Sequence, residues 1–174
     1  MEAPDPLDLE TRRRIYVHIV DRPGQFLREL QRELGMAMGT LEFNLAALEK
    51  AGLIRVAESE NKRFFPAEMP PEDRRLLSVL RQRIPRGIVV ELLRSTEASP
   101  RRMAEGLGVG PTTLNYHLAK LAAAGVLERR REGRVSRYRL ADPAPVLRLL
   151  IAHRQSFLDR LVDGFLAGLE GLRA

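Results

Sequence analysis

A chain of 174 residues has room for one ordinary domain or two small ones, and 44% apolar with 30% charged residues is a globular composition that excludes wholesale disorder. The absence of Cys excludes disulfides, thiolate metal sites and a cysteine nucleophile, and makes a cytosolic address the simpler expectation. No apolar run reaches membrane-spanning length, and the opening Met-Glu-Ala-Pro-Asp-Pro-Leu-Asp is acidic where a secretion signal is basic, so a soluble, cytoplasmic protein with no membrane partner is expected. The net charge of +6 is unevenly spread: residues 1–75 carry 12 Lys/Arg against 14 Asp/Glu, a net of −2, and residues 76–174 carry 17 against 9, a net of +8. The basic, partner-binding surface therefore belongs to the second half.

In chain order, Ile15, Ile19 and Val20 recur at helical spacing and predict a first helix that stops at Asp21-Arg22-Pro23-Gly24. Leu27, Leu30 and Leu34 stripe a second helix, Leu34-Gly35 makes a tight turn, and a third helix follows. Leu53 to Ala57 and Arg63 to Pro66 flank a Ser59-Glu60-Asn61-Lys62 tip and read as a hairpin. Pro66 to Asp73 breaks structure before a connector helix over about 74–83, and Pro85 opens the next helix, striped by Ile88, Leu92 and Leu93. Ser99 caps another helix with Pro100 in its first turn and Met103 and Leu107 inward. The helix from about Pro111 to Ala124 places Leu114, His117, Leu118 and Leu121 at i, i+3, i+4 and i+7, and Gly125 ends it. Val126 to Leu140 forms two short strands around a Glu132-Gly133 turn. Pro143 and Pro145 open one long final helix in which Ile151, Leu158, Phe165 and Leu172 recur every seven residues, widened by Leu161, Val162 and Leu169. So apolar a helix needs a partner, either its own domain or a second copy of the chain.

The chain also matches itself at an offset of 73: Leu34 to Ile54 against Leu107 to Leu127, with nine of 21 positions identical and no gap. One supersecondary unit is used twice, and two copies are too few for a solenoid, so two similar small domains are expected.

The stretch from Leu107 to Leu140, with its LAKLAAAGVLERRREGRVSRYRL core, resembles the winged helix-turn-helix of ArsR-like transcriptional regulators, and the tandem arrangement is similar to archaeal regulators built from two such units. The resemblance implies a mainly α fold with small β-wings: a first winged helix-turn-helix over 1–68, a helical connector over 69–84, a second over 85–142 and a dimerisation helix over 143–174. It implies double-stranded DNA as partner and a homodimer paired through Ile151, Leu158, Leu161, Val162, Phe165 and Leu169. The lack of Cys departs from the metal-sensing members and rules out thiolate sensing.

A helix-turn-helix reads bases with the outward face of its last helix. In the second copy that face shows Thr112, Asn115, Tyr116, Ala119 and Lys120; the first copy has Gly39, Glu42, Phe43, Ala46 and Ala47, which offer no donor and one repelling charge. Residues 126–140 hold six Arg against two Glu. The second copy is therefore the expected DNA reader, with Asn115 and Tyr116 at bases, Thr112, Thr113 and Lys120 at phosphate, and Arg129, Arg130, Arg131, Arg134 and Arg137 along the backbone or in the minor groove. The first copy is expected to offer a packing surface or a site for a protein partner. His18, His117 and His153 lack metal-ligand spacing, and no phosphate-binding loop or nucleophile motif occurs, so no metal, no cofactor and no enzyme activity are expected. Two other readings remain open on the same residues: a sequence-tolerant nucleoid protein, and a tandem winged-helix scaffold that binds proteins.

Overall fold

The computed structural model describes residues 6–7, 9–57, 62–157 and 160–171. They divide into two compact units, Met1–Ser78 and Val79–Ala174. The fold is mainly helical with small antiparallel sheets, the architecture of a winged helix-turn-helix.

In the first unit α1 (Glu10–Asp21), α2 (Leu27–Leu34) and α3 (Met38–Lys50) enclose a core of Ile15, Ile19, Leu30, Leu34, Leu41, Leu45, Leu48 and Ile54. Leu41, Leu45 and Leu48 follow i, i+4, i+7, so one stripe of α3 is buried and the opposite face is turned out. Gly35 takes φ 65°, a left-handed conformation that ends α2 and permits the turn into α3. The hairpin of β2 (Ile54–Ala57) and β3 (Arg63–Pro66) pairs Ile54 with Pro66, and of its expected tip at 59–62 all but Lys62 lies outside the described residues. Val20, expected on the buried stripe of α1, is 36% exposed, because the stripe of Ile15 and Ile19 already fills the contact with α3.

A third strand escaped the sequence reading. β1 (Gln25–Phe26) pairs with β3 to give the order β1-β3-β2. Two residues carry no periodicity to detect; what holds the strand is Arg63, only 5% exposed, which donates to the Gly24 carbonyl at 2.7 Å and stacks its guanidinium 3.7 Å from the Phe26 ring. The connector helix α4 (Pro71–Leu80) runs a turn earlier than expected.

The second unit repeats the plan. Adding 73 to the bounds of α2 and α3 gives those of α6 (Pro100–Leu107) and α7 (Pro111–Ala123). α5 (Arg83–Ser95) begins two residues before Pro85, and Ser99 caps α6 by accepting from the Arg102 amide at 3.4 Å. β4 (Leu127–Glu132) and β5 (Val135–Leu140) form the wing, and Ala98 bridges Tyr138 as Gln25 bridges Phe64.

The C-terminal region departs from the expected single long helix. α8 (Pro143–Ala152) ends at His153, a 3-10 turn covers Arg154–Ser156, and α9 (Arg160–Gly171) follows as a separate helix. Phe157 is 3% exposed at the break, with the Arg86 guanidinium 5.6 Å from its ring, and α9 packs on α5 with Val162 and Phe165 buried. The unit thus supplies the partner that the apolar stripe demands. Burial of each such side chain contributes roughly 1.5–3 kcal/mol, more than the few hydrogen bonds lost by interrupting a helix. The expected seam is correspondingly revised. Val162 and Phe165 serve their own unit, Leu169 is half-buried, Ile151 is 57% exposed on α8, and Leu158 and the side chain of Leu161 lie outside the description.

Thr96, between α5 and the Ala98 bridge, has φ 59° and ψ −40°, a backbone region costly for a β-branched residue. Thr96→Gly should therefore raise the unfolding free energy of the second unit by about 1 kcal/mol, measured by thermal or urea unfolding, whereas Thr96→Ala should not. A destabilised glycine variant would contradict strain at this turn.

Candidate nucleic-acid interface

The rotation of α7 about its own axis is set by burial of Leu114, Leu118 and Leu121. Thr112, Tyr116, Ala119 and Lys120 lie roughly opposite this stripe and point to solvent, and Asn115, about 90° around the helix from it, is exposed on one flank. Thr113 is exposed on the flank of the same face. Tyr116, 57% exposed, presents its ring with the Lys120 ammonium 5.8 Å from the centroid, a cation–π arrangement that keeps both groups on the outside. The face thus offers two hydroxyls, a carboxamide, a phenol and an ammonium along about two and a half turns.

The wing follows from its register. Leu127 pairs with Leu140, Arg129 with Tyr138 and Arg131 with Ser136, so these share the face that is buried at its base; Glu128/Arg139, Arg130/Arg137 and Glu132/Val135 occupy the other. Gly133 at φ 61° begins a two-residue loop with Arg134, a geometry that matches the twist of the strands. On the second face the carboxylates are already engaged: Arg139 meets Glu128 at 2.6 Å, and Arg137 meets Glu132 at 3.2 Å and Glu97 at 3.9 Å. On the first, Arg129 donates through Nε and Nη2 to the Ser136 hydroxyl at 3.1 and 2.8 Å, and Arg131 donates only to the Gly133 carbonyl at 3.3 Å. Among the described residues, then, Arg129, Arg130, Arg131 and Arg134 have no carboxylate against them, while the charge of Arg137 is compensated. Sequence reasoning counted the arginines without this distinction, which only the cross-strand register reveals.

The equivalent surface of the first unit is different. Phe43 is 68% exposed beside Glu42, and neither Gly39, Ala46 nor Ala47 supplies a polar side chain. Asn44, which the sequence reading passed over, is buried on the inner side of α3: it accepts from Arg12 Nε at 3.2 Å and donates to the Thr40 carbonyl at 2.7 Å. The residue 73 positions on is His117, and the counterpart of Arg12 is Pro85, which has no donor to give. His117 Nδ1 is accordingly buried without a hydrogen-bond partner among the described residues, with the ring edge-on to Tyr116 at a centroid distance of 5.1 Å. Burial, and then the nearby Lys120 charge, lower the His117 pKa below the usual imidazole value, so the ring is neutral at physiological pH.

No three metal-ligating side chains converge among the described residues, and none of the described helices is long and apolar enough to cross a membrane.

Residues 7–57 match a family model described as a helix-turn-helix domain. An uncharacterised HTH-type transcriptional regulator of Methanocaldococcus jannaschii is 38% identical over 125 residues, covering 71% of this chain and 32% of the relative, so the chain spans about a third of that protein's length. Among solved structures, HlyU from Vibrio cholerae aligns with a TM-score of 0.43 and 24% identity over 48% of this chain and 90% of HlyU. A homodimeric winged helix-turn-helix DNA-binding domain from Mycobacterium bovis, described as a possible ArsR-family regulator, aligns with a TM-score of 0.39 and 24% identity over 51% of this chain and 80% of that domain. The chain carries a helix-turn-helix domain and is a relative of an HTH-type transcriptional regulator. The family model falls on the first unit, the copy whose outward face has lost its donors.

An NMR titration should place the His117 pKa below 6.5, and Lys120→Ala should raise it part of the way back. A folded-state pKa below the unfolded one means that the unfolded chain binds the proton more readily, so this histidine makes the second unit lose stability as pH falls below about 6.5. A His117 pKa at or above the ordinary value would contradict the buried, unpartnered placement of the ring.

Proposed function

We infer that the chain is a DNA-binding transcriptional regulator of tandem winged helix-turn-helix build, in which the second unit grips double-stranded DNA and the first does not. The observation that carries this reading is the juxtaposition, on one unit, of a recognition-helix face of hydrogen-bonding side chains with a wing bearing four arginines that no carboxylate among the described residues neutralises. α7 enters the major groove, Asn115 and Tyr116 meet base edges, and Thr112, Thr113 and Lys120 meet phosphate. Arg129, Arg130, Arg131 and Arg134 track the backbone or the adjacent minor groove, with Arg137 acting more as a strut between wing and helix turn than as a phosphate ligand. The first unit keeps the fold and presents Phe43 and Glu42 to a protein partner. Its Glu42 would repel phosphate at the place where the second unit offers Asn115.

The functional species is a homodimer, the commonest symmetry of soluble oligomers, which lets two recognition helices read an inverted repeat. Exposed Ile151 on α8 is a better contact than Phe165, which its own unit buries. Light scattering should give twice the chain mass, and a monomer at working concentration removes this part of the reading.

Point variants of the full chain test the assignment. Asn115→Ala should cost about 1–3 kcal/mol on the preferred site and little on random DNA, with the salt dependence unchanged. Arg131→Ala should weaken both DNAs alike and flatten the log K against log salt slope by about one unit. Equal losses on both DNAs from Asn115→Ala would favour a sequence-tolerant binder, and unchanged binding from both variants would favour a protein scaffold.

A further inference from the structure

The second unit carries a crevice of about 530 Å³ between α6 and the start of α7. Its walls are the apolar side chains of Pro100, Ala104, Val109, Pro111 and Leu114, all but the last of them short or ring-closed. Arg101 and Glu105 stand at the rim and pair with each other at 2.9 Å, so the only charges there are mutually compensated. The one remaining polar side chain is Asn115, which lines the crevice and also belongs to the outward face of α7.

Comparison of the two copies shows why the crevice is open. At the corresponding positions, 73 residues earlier, the first unit has Leu27 for Pro100, Gln31 for Ala104, Met36 for Val109 and Met38 for Pro111. Each is a longer, flexible chain, and Leu27 and Met36 pack against the first unit's core. The backbone plan is shared, but the second unit has smaller or ring-closed residues at these positions.

We propose that this crevice binds a small, uncharged, largely apolar organic molecule, and that occupancy competes with base reading by taking the Asn115 amide. The volume lies within the range of small-molecule sites, and such sites combine apolar walls with a few polar groups that fix orientation. The Arg101–Glu105 pairing leaves no net charge at the rim to select an ion. The amide can bond the ligand or a base edge, not both in one rotamer, so bound ligand weakens specific DNA binding while the wing's phosphate contacts persist. This effect on DNA rests on the function proposed above; ligand binding itself does not.

The test uses the full chain and N-phenyl-1-naphthylamine, an uncharged apolar fluorophore. Its emission should rise on saturable binding at one site per chain without DNA present. Ala104→Gln and Val109→Met, which install the first unit's side chains, should each abolish that signal while leaving the helical circular dichroism spectrum intact. The two are scored separately, so misfolding of either leaves the other to decide. With the probe saturating, affinity for the preferred site should fall by about fivefold or more and affinity for random DNA should hold. No emission change, or a change that survives both substitutions in folded protein, overturns the proposal. Emission that appears only at dilutions where light scattering shows monomer also overturns it, and assigns the crevice to a second copy of the chain. Probe binding with no effect on DNA retains the site but overturns the competition through Asn115.

Discussion

Burial of Leu114, Leu118 and Leu121 is the constraint on which the proposed interface of the second unit depends. A helix with three such residues at i, i+4 and i+7 has one rotation in which all are out of water, and each of them left exposed would cost roughly 1.5–3 kcal/mol. That choice leaves Thr112, Asn115, Tyr116 and Lys120 nowhere to point but outward, on a rigid element rather than a loop. The same constraint acts on α3 through Leu41, Leu45 and Leu48, yet there it presents Gly39, Glu42 and Phe43. Identical packing thus delivers opposite chemistry in the two copies. The apolar positions of the repeat hold the fold, and the positions between them are free to diverge.

Electrostatics sorts the wing in the same way. Six arginines on a hairpin are not six equivalent cations: Arg137 and Arg139 are held by Glu132, Glu97 and Glu128. Such exposed pairs contribute little stability, about 0–1 kcal/mol, but they decide where the uncompensated charge lies. Because opposed residues in an antiparallel pair share a face, Arg129 and Arg131 continue the face whose base is buried through Leu127, Tyr138 and Leu140. Ser136 fixes the plane of the Arg129 guanidinium, a positioning role that depends on the strand register.

Much of this was legible in the sequence because it rests on period and punctuation. The 73-residue offset reappears in the bounds of α2 and α6 and of α3 and α7, and Ser99 caps α6 as its place before Pro100 suggested. What was not legible depends on contacts remote in sequence. β1 is two residues long and is held by Arg63, 37 or more positions away, as a buried guanidinium no local pattern announces. The seven-residue recurrence of Ile151, Leu158, Phe165 and Leu172 reads as one long seam, but a recurrence does not say whose surface covers it. The turn at Arg154–Ser156, pinned by Arg154 to Asp163 at 3.0 Å and Glu170 at 3.4 Å, folds α9 back onto α5 of its own unit. His117 reads as part of the buried stripe, and it sits at its edge; that Nδ1 lacks a partner among the described residues accords with Pro85 standing where the first unit has Arg12.

The central claim is that the second unit, rather than the first, lies against DNA. Photo-crosslinking the full chain to duplex DNA substituted with 5-bromouracil, followed by mass-spectrometric mapping of the attached peptides, tests it without altering a residue. The account predicts crosslinks in α7 and the β4–β5 wing, with Tyr116 the foremost acceptor because its aromatic ring is exposed on the recognition face. Crosslinks concentrated at Phe43 and the outward face of α3 would contradict it.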